Sequence, residues 1–94
     1  MSTVTTSTTT LTTTVHFFAA ARAAAGTEAT SVALPEGATV EDLLDALRAA
    51  HGPEFARVLQ RCSYLLDEVA VRDSAATPVP AGATLDVLPP FAGG

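Results

Sequence analysis

Apolar positions along the chain fall into short alternating runs and one longer helical stripe. In VHFF (15–18), Val15 and Phe17 point one way and His16 and Phe18 the other, which predicts a short strand with apolar groups on both faces. EATSVALPEG (28–37) alternates through Val32 and Leu34, then meets Pro35 and Gly37, both turn formers. The two runs lie close in sequence and predict an antiparallel hairpin. Between them, AAARAAAG (19–26) reads as a loop or one helical turn closed at Gly26.

The helical stripe is Val40, Leu43, Leu44 and Leu47, spaced i, i+3, i+4, i+7. Thr39 is a good N-cap, and Asp42 stands at the third helical position as in a capping box, with Asp in place of Glu. Glu41, Asp42 and Asp45 sit early, where the helix dipole favours negative charge. Gly52-Pro53 predicts an end near His51, followed by a shorter piece over Glu54 to Gln60 that groups Phe55, Val58 and Leu59.

CSYLLDEVAVRD (62–73) predicts two short strands around an Asp67-Glu68 turn, with Val69 and Val71 on one face and Ala70 on the other. ATLDVL (83–88) is a last strand, with Leu85 and Val87 inward and Asp86 and Leu88 outward. Pro89-Pro90 stops it, because neither residue can donate to a ladder. Two strands, a crossing helix and three further strands describe an α+β domain. The β-grasp, or ubiquitin-like, arrangement fits: a mixed sheet of about five strands covered by one main helix.

At the front, residues 1–14 hold nine threonines and two serines. They offer little to bury, so residues 1–13 are expected to form an unstructured extension whose last threonines feed into the first strand. Residues 14–88 then form the domain and 89–94 an extended tail. Hydrophobic residues make up 48% of the 94 and charged residues 16%, which suits a single small globular domain. Five arginines and no lysine face ten acids, for a net charge of −5, so a basic stripe for nucleic acid is not expected. The lone Cys62 allows no internal disulfide, and with His16 and His51 it shows no metal-ligand spacing. Cys62 reads as a small buried hydrophobe and the histidines as surface groups. No apolar run approaches a membrane span and the first residues do not read as a secretory signal, so a cytoplasmic protein is expected.

The candidate chemistry sits at the end, PPFAGG. Pro89-Pro90 hold the exit stiff and extended. Six residues from Pro89 to Gly94 reach roughly 20 Å at about 3.3 Å each. Gly93 and Gly94 adopt any backbone conformation and present no side chain to a narrow channel. Such a tail suits activation of the terminal carboxylate, which is ionised at neutral pH and can attack a phosphorus atom of ATP. A sulfur nucleophile then converts the acyl-adenylate into a thiocarboxylate.

From Val15 to Gly94 the chain resembles the small subunit of molybdopterin synthase, a MoaD/ThiS-type β-grasp sulfur carrier. The resemblance rests on VHFFAAARAAAG, LPEGATVEDLLDAL, YLLDEVAV and DVLPPFAGG. It implies adenylation of Gly94 by an E1-like adenylyltransferase using ATP and magnesium, conversion to a thiocarboxylate by a sulfurtransferase system, and sulfur transfer to cyclic pyranopterin monophosphate. The large synthase subunit would bind the pterin in a heterotetramer with two copies of each chain, and this chain would bind no cofactor and would not be catalytic alone. The resemblance also implies an apolar partner-binding patch of Phe18, Ala70 and Leu88 beside the tail and a partner contact at Arg22. Phe91 is a further partner-binding candidate, expected to anchor the tail, the alternative being a simply exposed ring. Ala70 departs from the bulkier side chain of the family. Three alternatives stand beside this reading: a carrier for another acceptor in thiazole, cysteine or tRNA thiolation, a non-covalent ubiquitin-like adaptor, and a free-standing enzyme using Cys62 or a histidine.

Overall fold

Five strands and two helices form over residues 10–90, the part of the chain that this computed structural model describes. β1 (Thr10–Phe17) and β2 (Ala29–Pro35) make the expected antiparallel hairpin, with Thr13 opposite Val32 and Val15 opposite Thr30. β3 (Ser63–Leu66) and β4 (Val69–Ala70) make the second. β5 (Thr84–Leu88) runs between them, parallel to β1 and antiparallel to β3, giving the order β2-β1-β5-β3-β4. This is the mixed five-stranded sheet under one main helix that the alternation predicts.

β1 starts at Thr10, so the end of the threonine run feeds into the first strand as expected, and the sheet begins at residue 10 rather than 14. Threonine favours extended backbone, but a threonine run hides the alternation that marks a strand. Thr13 is fully buried, and its Oγ1 has no hydrogen-bond partner among the described residues. An unpaired buried hydroxyl costs about 1–3 kcal/mol. Thr13→Val, nearly the same shape without the hydroxyl, is expected to raise stability by about 1 kcal/mol, read as a higher urea midpoint.

The alanine run is a true helix, α1 (Ala19–Ala25), longer than the single turn expected. Gly26, at φ 78°, ends it in the left-handed conformation and donates its N–H to the Arg22 carbonyl at 2.9 Å. The main helix, α2 (Val40–Leu59), opens with the capping box: the Asp42 N–H donates to Thr39 Oγ1 at 3.3 Å and the Thr39 N–H to Asp42 Oδ2 at 2.8 Å. Its two expected pieces are joined end to end, with a kink at Gly52 (φ 89°, ψ −177°). Pro53 disfavours the helical conformation at the residue before it, and only glycine adopts the backbone seen at Gly52 comfortably. Space is not the issue, since nothing lies within 4 Å of where a Cβ would sit. Gly52→Ala is therefore expected to cost about 1–3 kcal/mol of backbone strain, visible as a lower melting temperature with unchanged helical circular dichroism.

The core lies between α2 and the sheet. Val15, Phe17, Leu85 and Val87 meet Val40, Leu43, Leu44, Leu47, Phe55 and Leu59, all buried. The expected parity holds in β1, β5 and α2. It weakens at the edge, where Val69 is paired with buried Leu66 yet is 68% exposed, because β4 is only two residues long. Val71 is the one that packs partly against the core. The Asp67-Glu68 turn has both residues at positive φ, 47° and 70°, as a type I′ hairpin turn requires, although neither is glycine. Asp67 Oδ1 accepts the Thr84 N–H at 2.9 Å while the Asp67 N–H donates to the Thr84 carbonyl at 2.8 Å, so the turn also registers the start of β5.

A polar tie holds the loop before β5. The Ser74 hydroxyl donates to Glu41 Oε1 at 2.6 Å, and Arg48 reaches Glu41 Oε2 at 3.2 Å. The Ser74 bond first and Arg48 second hold the Glu41 carboxyl below its ordinary 4.5. A carboxyl lowered on folding stabilises the fold above its ordinary range and stops doing so as pH falls through the lowered value. Ser74→Ala is expected to cost about 0.5–1 kcal/mol near pH 7, a modest figure because the carboxylate is partly solvated. Urea titrations should show that difference shrinking below pH 4.5, the ordinary value.

Candidate functional site

Parity along β1, β5 and β3 puts a second set of side chains on the sheet face away from α2. Two cross-strand rows can be read from the register. One runs His16, Asp86, Leu65 and Ala70; the other joins Leu88 to Ser63. Phe18 follows the last residue of β1 and donates its N–H to the Val87 carbonyl at 3.2 Å, which holds it beside the end of β5. Because β1 and β5 are parallel, Phe18 and Leu88 reach the same end of the sheet, where the tail departs.

There they line an apolar groove with Ala19, Ala20, Ser63, Pro89 and Pro90. Phe18 is 42% exposed, and with Leu88, Pro89 and Pro90 it makes a contiguous apolar patch rather than a lone exposed ring. The backbone supports this exposure. The Phe18 carbonyl accepts the Ala21 N–H at 3.0 Å as α1 begins, and Ala19 is held at φ 52°. A left-handed alanine is strained, and here it turns the chain sharply from β1 into α1.

The expected patch residues are thus split. Phe18 and Leu88 come together. Ala70 shares their face but lies two strands from β5, level with Asp86. Arg22 is exposed on α1 and forms an ion pair with Glu28 at 3.5 Å, beside a depression that also includes Phe18 and His16. Phe91, Gly93 and Gly94 lie outside the described residues.

Two histidine readings change. His16 is not a lone surface group, since its Nδ1 stands 3.9 Å from Asp86 Oδ1. Parity puts both outward, but only the parallel register makes them neighbours. Asp86 and His16 share a depression with Leu65, Asp67, Glu68 and Thr84, so this part of the outer face is acidic where the groove is apolar. His51 is half-buried, with its ring centroid 4.9 Å from Phe55 and 5.5 Å from Phe17.

The body's own nucleophiles are held back. Cys62 is partly buried, its Sγ–H donates to the Val58 carbonyl at 3.3 Å, and burial pushes its thiol up. Tyr64 donates its hydroxyl to the Leu59 carbonyl at 2.7 Å, and burial raises it too. A thiol held protonated is a poor nucleophile. Among the described residues no group of three or more His, Cys, Asp or Glu side chains could hold a metal ion, and no helix is long and apolar enough to cross a membrane. The arrangement supports docking beside a tail more than chemistry within the body.

Comparison with known proteins agrees with this geometry. The sequence model of the ThiS family matches residues 15–94. Among solved structures, SAMP1 from Haloferax volcanii is similar at 30% identity and a TM-score of 0.77, over 88% of this chain and 99% of that one. A putative molybdopterin converting factor subunit 1 from Pyrococcus furiosus is similar in fold at 22% identity and a TM-score of 0.72, over 86% and 99%. A complex of subunits 1 and 2 of molybdopterin-converting factor from Helicobacter pylori gives 20% identity and a TM-score of 0.66, over 89% and 100%. No curated protein sequence matches.

Proposed function

The chain belongs to the ThiS family, and from that premise we propose that it is the sulfur-carrier small subunit of molybdopterin synthase. The observation that carries this reading is a family match that spans residues 15–94 and so includes the closing PPFAGG. The Gly94 carboxylate attacks the α-phosphorus of ATP on an E1-like partner, which supplies the magnesium, and pyrophosphate leaves. Hydrosulfide released by a sulfurtransferase system then displaces AMP, the C–O bond to the phosphate breaking as the C–S bond forms, and leaves a thiocarboxylate on Gly94. In the large subunit the sulfur passes to cyclic pyranopterin monophosphate, and water restores the carboxylate. The chain itself holds no cofactor and works in the cytoplasm as one half of a two-plus-two assembly.

The partner surface in this proposal is the groove end of the sheet. Phe18 and Leu88 give the apolar contact, Arg22 a charged contact at its margin, and Ala70 a small flat position further along the same face. A large subunit as partner is supported by the subunit 1 and 2 complex from Helicobacter pylori, whose first subunit has this fold.

Intact mass of the chain after incubation with ATP, a sulfur donor and an E1-like enzyme should show one oxygen of Gly94 replaced by sulfur. Absence of that change with every cognate activator would leave the adaptor reading standing. A second reading has one observation in its favour, the 30% identity with SAMP1, a small archaeal modifier protein. An acyl-adenylate is open to amines as well as to sulfur, so the same activated tail would then go to another acceptor. Loaded carrier that gives up its sulfur to the pterin precursor with a large synthase subunit supports the first reading; an amide-linked adduct supports the second.

A further inference from the structure

The sheet has two edges, and they are built differently. β4 is two residues long and lies among Asp67, Glu68, Arg72 and Asp73, so shortness and charge blunt that edge. β2, at the other edge, is seven residues long and carries no ionisable side chain. Only its last residue, Pro35, discourages strand addition. Two bonds fix which way the β2 backbone points. The Phe17 N–H donates to the Glu28 carbonyl at 2.8 Å, whereas the Thr14 N–H donates to the Ala83 carbonyl at 3.1 Å, on the β5 side. Antiparallel partners alternate between bonded and unbonded pairs. Thr30, Val32 and Leu34 therefore bond β1, while Ala29, Ser31 and Ala33 turn their N–H and C=O groups outward. All three are exposed and small. Among the described residues, one bond reaches these outward groups, from the Thr27 hydroxyl to the Ala29 carbonyl at 3.1 Å. That carbonyl keeps a second lone pair.

We propose that β2 pairs antiparallel with β2 of a second copy of this chain, about a two-fold axis at Ser31. Ser31 then lies opposite the partner's Ser31, and Ala29 opposite the partner's Ala33. This register pairs the outward groups of all three residues in both copies. On the helix side, half-buried Thr30 meets the partner's Val32, a β-branched pair that suits a sheet. Charge favours this edge for a like copy. The chain carries a net −5, so an acidic face repels its twin, while β2 brings no charge to the junction. Glu28, just outside it, is balanced by Arg22 at 3.5 Å. The two sheets become one, and the two-fold sends the Phe18 and Leu88 ends of the copies in opposite directions. Both tails stay free, so pairing does not compete with docking at the groove. The inference stands whether or not the chain carries sulfur.

The test uses the full chain alone. Sedimentation equilibrium should show the apparent mass rising from one chain toward two as the concentration approaches about 1 mM, the weak limit of specific association. Amides of Ala29, Ser31 and Ala33 should exchange freely in dilute chain and slow over the same range, while those of Thr30 and Val32 stay protected throughout. Ser31→Lys sets like charges face to face and should hold the chain monomeric. Ser31 is exposed and its backbone does not bond β1, so that variant keeps its melting temperature. In a Cys62→Ser background, Ser31→Cys should form a disulfide-linked dimer on mild oxidation, because opposed Cα atoms stand about 5.5 Å apart. Ala29→Cys should not, since the two-fold separates its copies by about 13 Å. A chain still monomeric at about 1 mM, a dimer that Ser31→Lys leaves intact, or equal cross-linking at both positions would each overturn the proposal. So would protection of the three outward amides in dilute monomer, which would make a segment of the same chain their partner.

Discussion

Deleting Gly94 is expected to abolish sulfur loading in a chain that stays folded. Among the described residues the buried core ends at Val87, and a glycine has no side chain to add to one. The shortened chain still ends in a glycine carboxylate, so the chemistry of the group is unchanged. What changes is reach, by about 3.3–3.6 Å. A nucleophile must come within about 3–3.5 Å of the atom it attacks, and misplacement by about 1 Å already costs roughly a hundredfold. Loss of at least about a hundredfold in thiocarboxylate formation follows, to be measured by intact mass with circular dichroism as the control for folding. Loading of the shortened chain at the full rate would mean that tail length does not set delivery, and the carrier mechanism proposed above would fail with it. Cys62→Ser, by contrast, should load normally.

The largest effect on stability is expected at Phe55. Its side chain is fully buried and packs edge-on to Phe17 at 5.5 Å between ring centroids and against His51 at 4.9 Å. Removing a buried phenyl ring loses its transfer free energy and leaves a cavity, and the two together cost about 3–5 kcal/mol. Small domains have only about 5–15 kcal/mol in total. Phe55→Ala should therefore remove a large share of the total and lower the urea midpoint by at least about 1 M, while Phe55→Leu should retain most of the stability. Phe55 lies just past the Gly52 kink, so the ring is also what holds the second half of α2 against β1. A loss under about 1 kcal/mol would show that the kinked end of the helix folds independently of the core.

Much of this architecture was legible because one face of each element is buried and the other is wet. Val15, Phe17, Leu85 and Val87 stand out by alternation, and Val40 to Leu47 by helical spacing, so the sheet and main helix follow from the pattern. α1 is hidden for the opposite reason: seven residues with six alanines carry no polar contrast, and only Ala21 is buried. The point within the threonine run at which β1 begins is hidden because threonine reads as polar even where it is buried, as Thr13 is. The turn at Asp67-Glu68 lacks the glycine that would announce left-handed backbone, although its position between two apolar runs was clear.

The candidate site divides along the same line. Outward positions for His16, Phe18, Asp86 and Leu88 follow from parity within each strand. Their neighbours do not, because parity says nothing about which strand lies alongside or in which direction it runs. The parallel register of β1 with β5 makes a pair of His16 and Asp86 and sets Phe18 at the end where Leu88 leads into the prolines. Ala70, placed with them by resemblance, is separated from them by β3.

That shared direction of the first and last strands also decides which end of the molecule can be burdened. β1 is eight residues long, about 25 Å at roughly 3.3 Å per residue. Whatever is attached ahead of Thr10 joins the sheet at the far end from Leu88. An affinity handle or a fluorescent fusion placed at the front should therefore leave docking and delivery undisturbed, whereas the same cargo set into the turn before α1 would sit on the working edge.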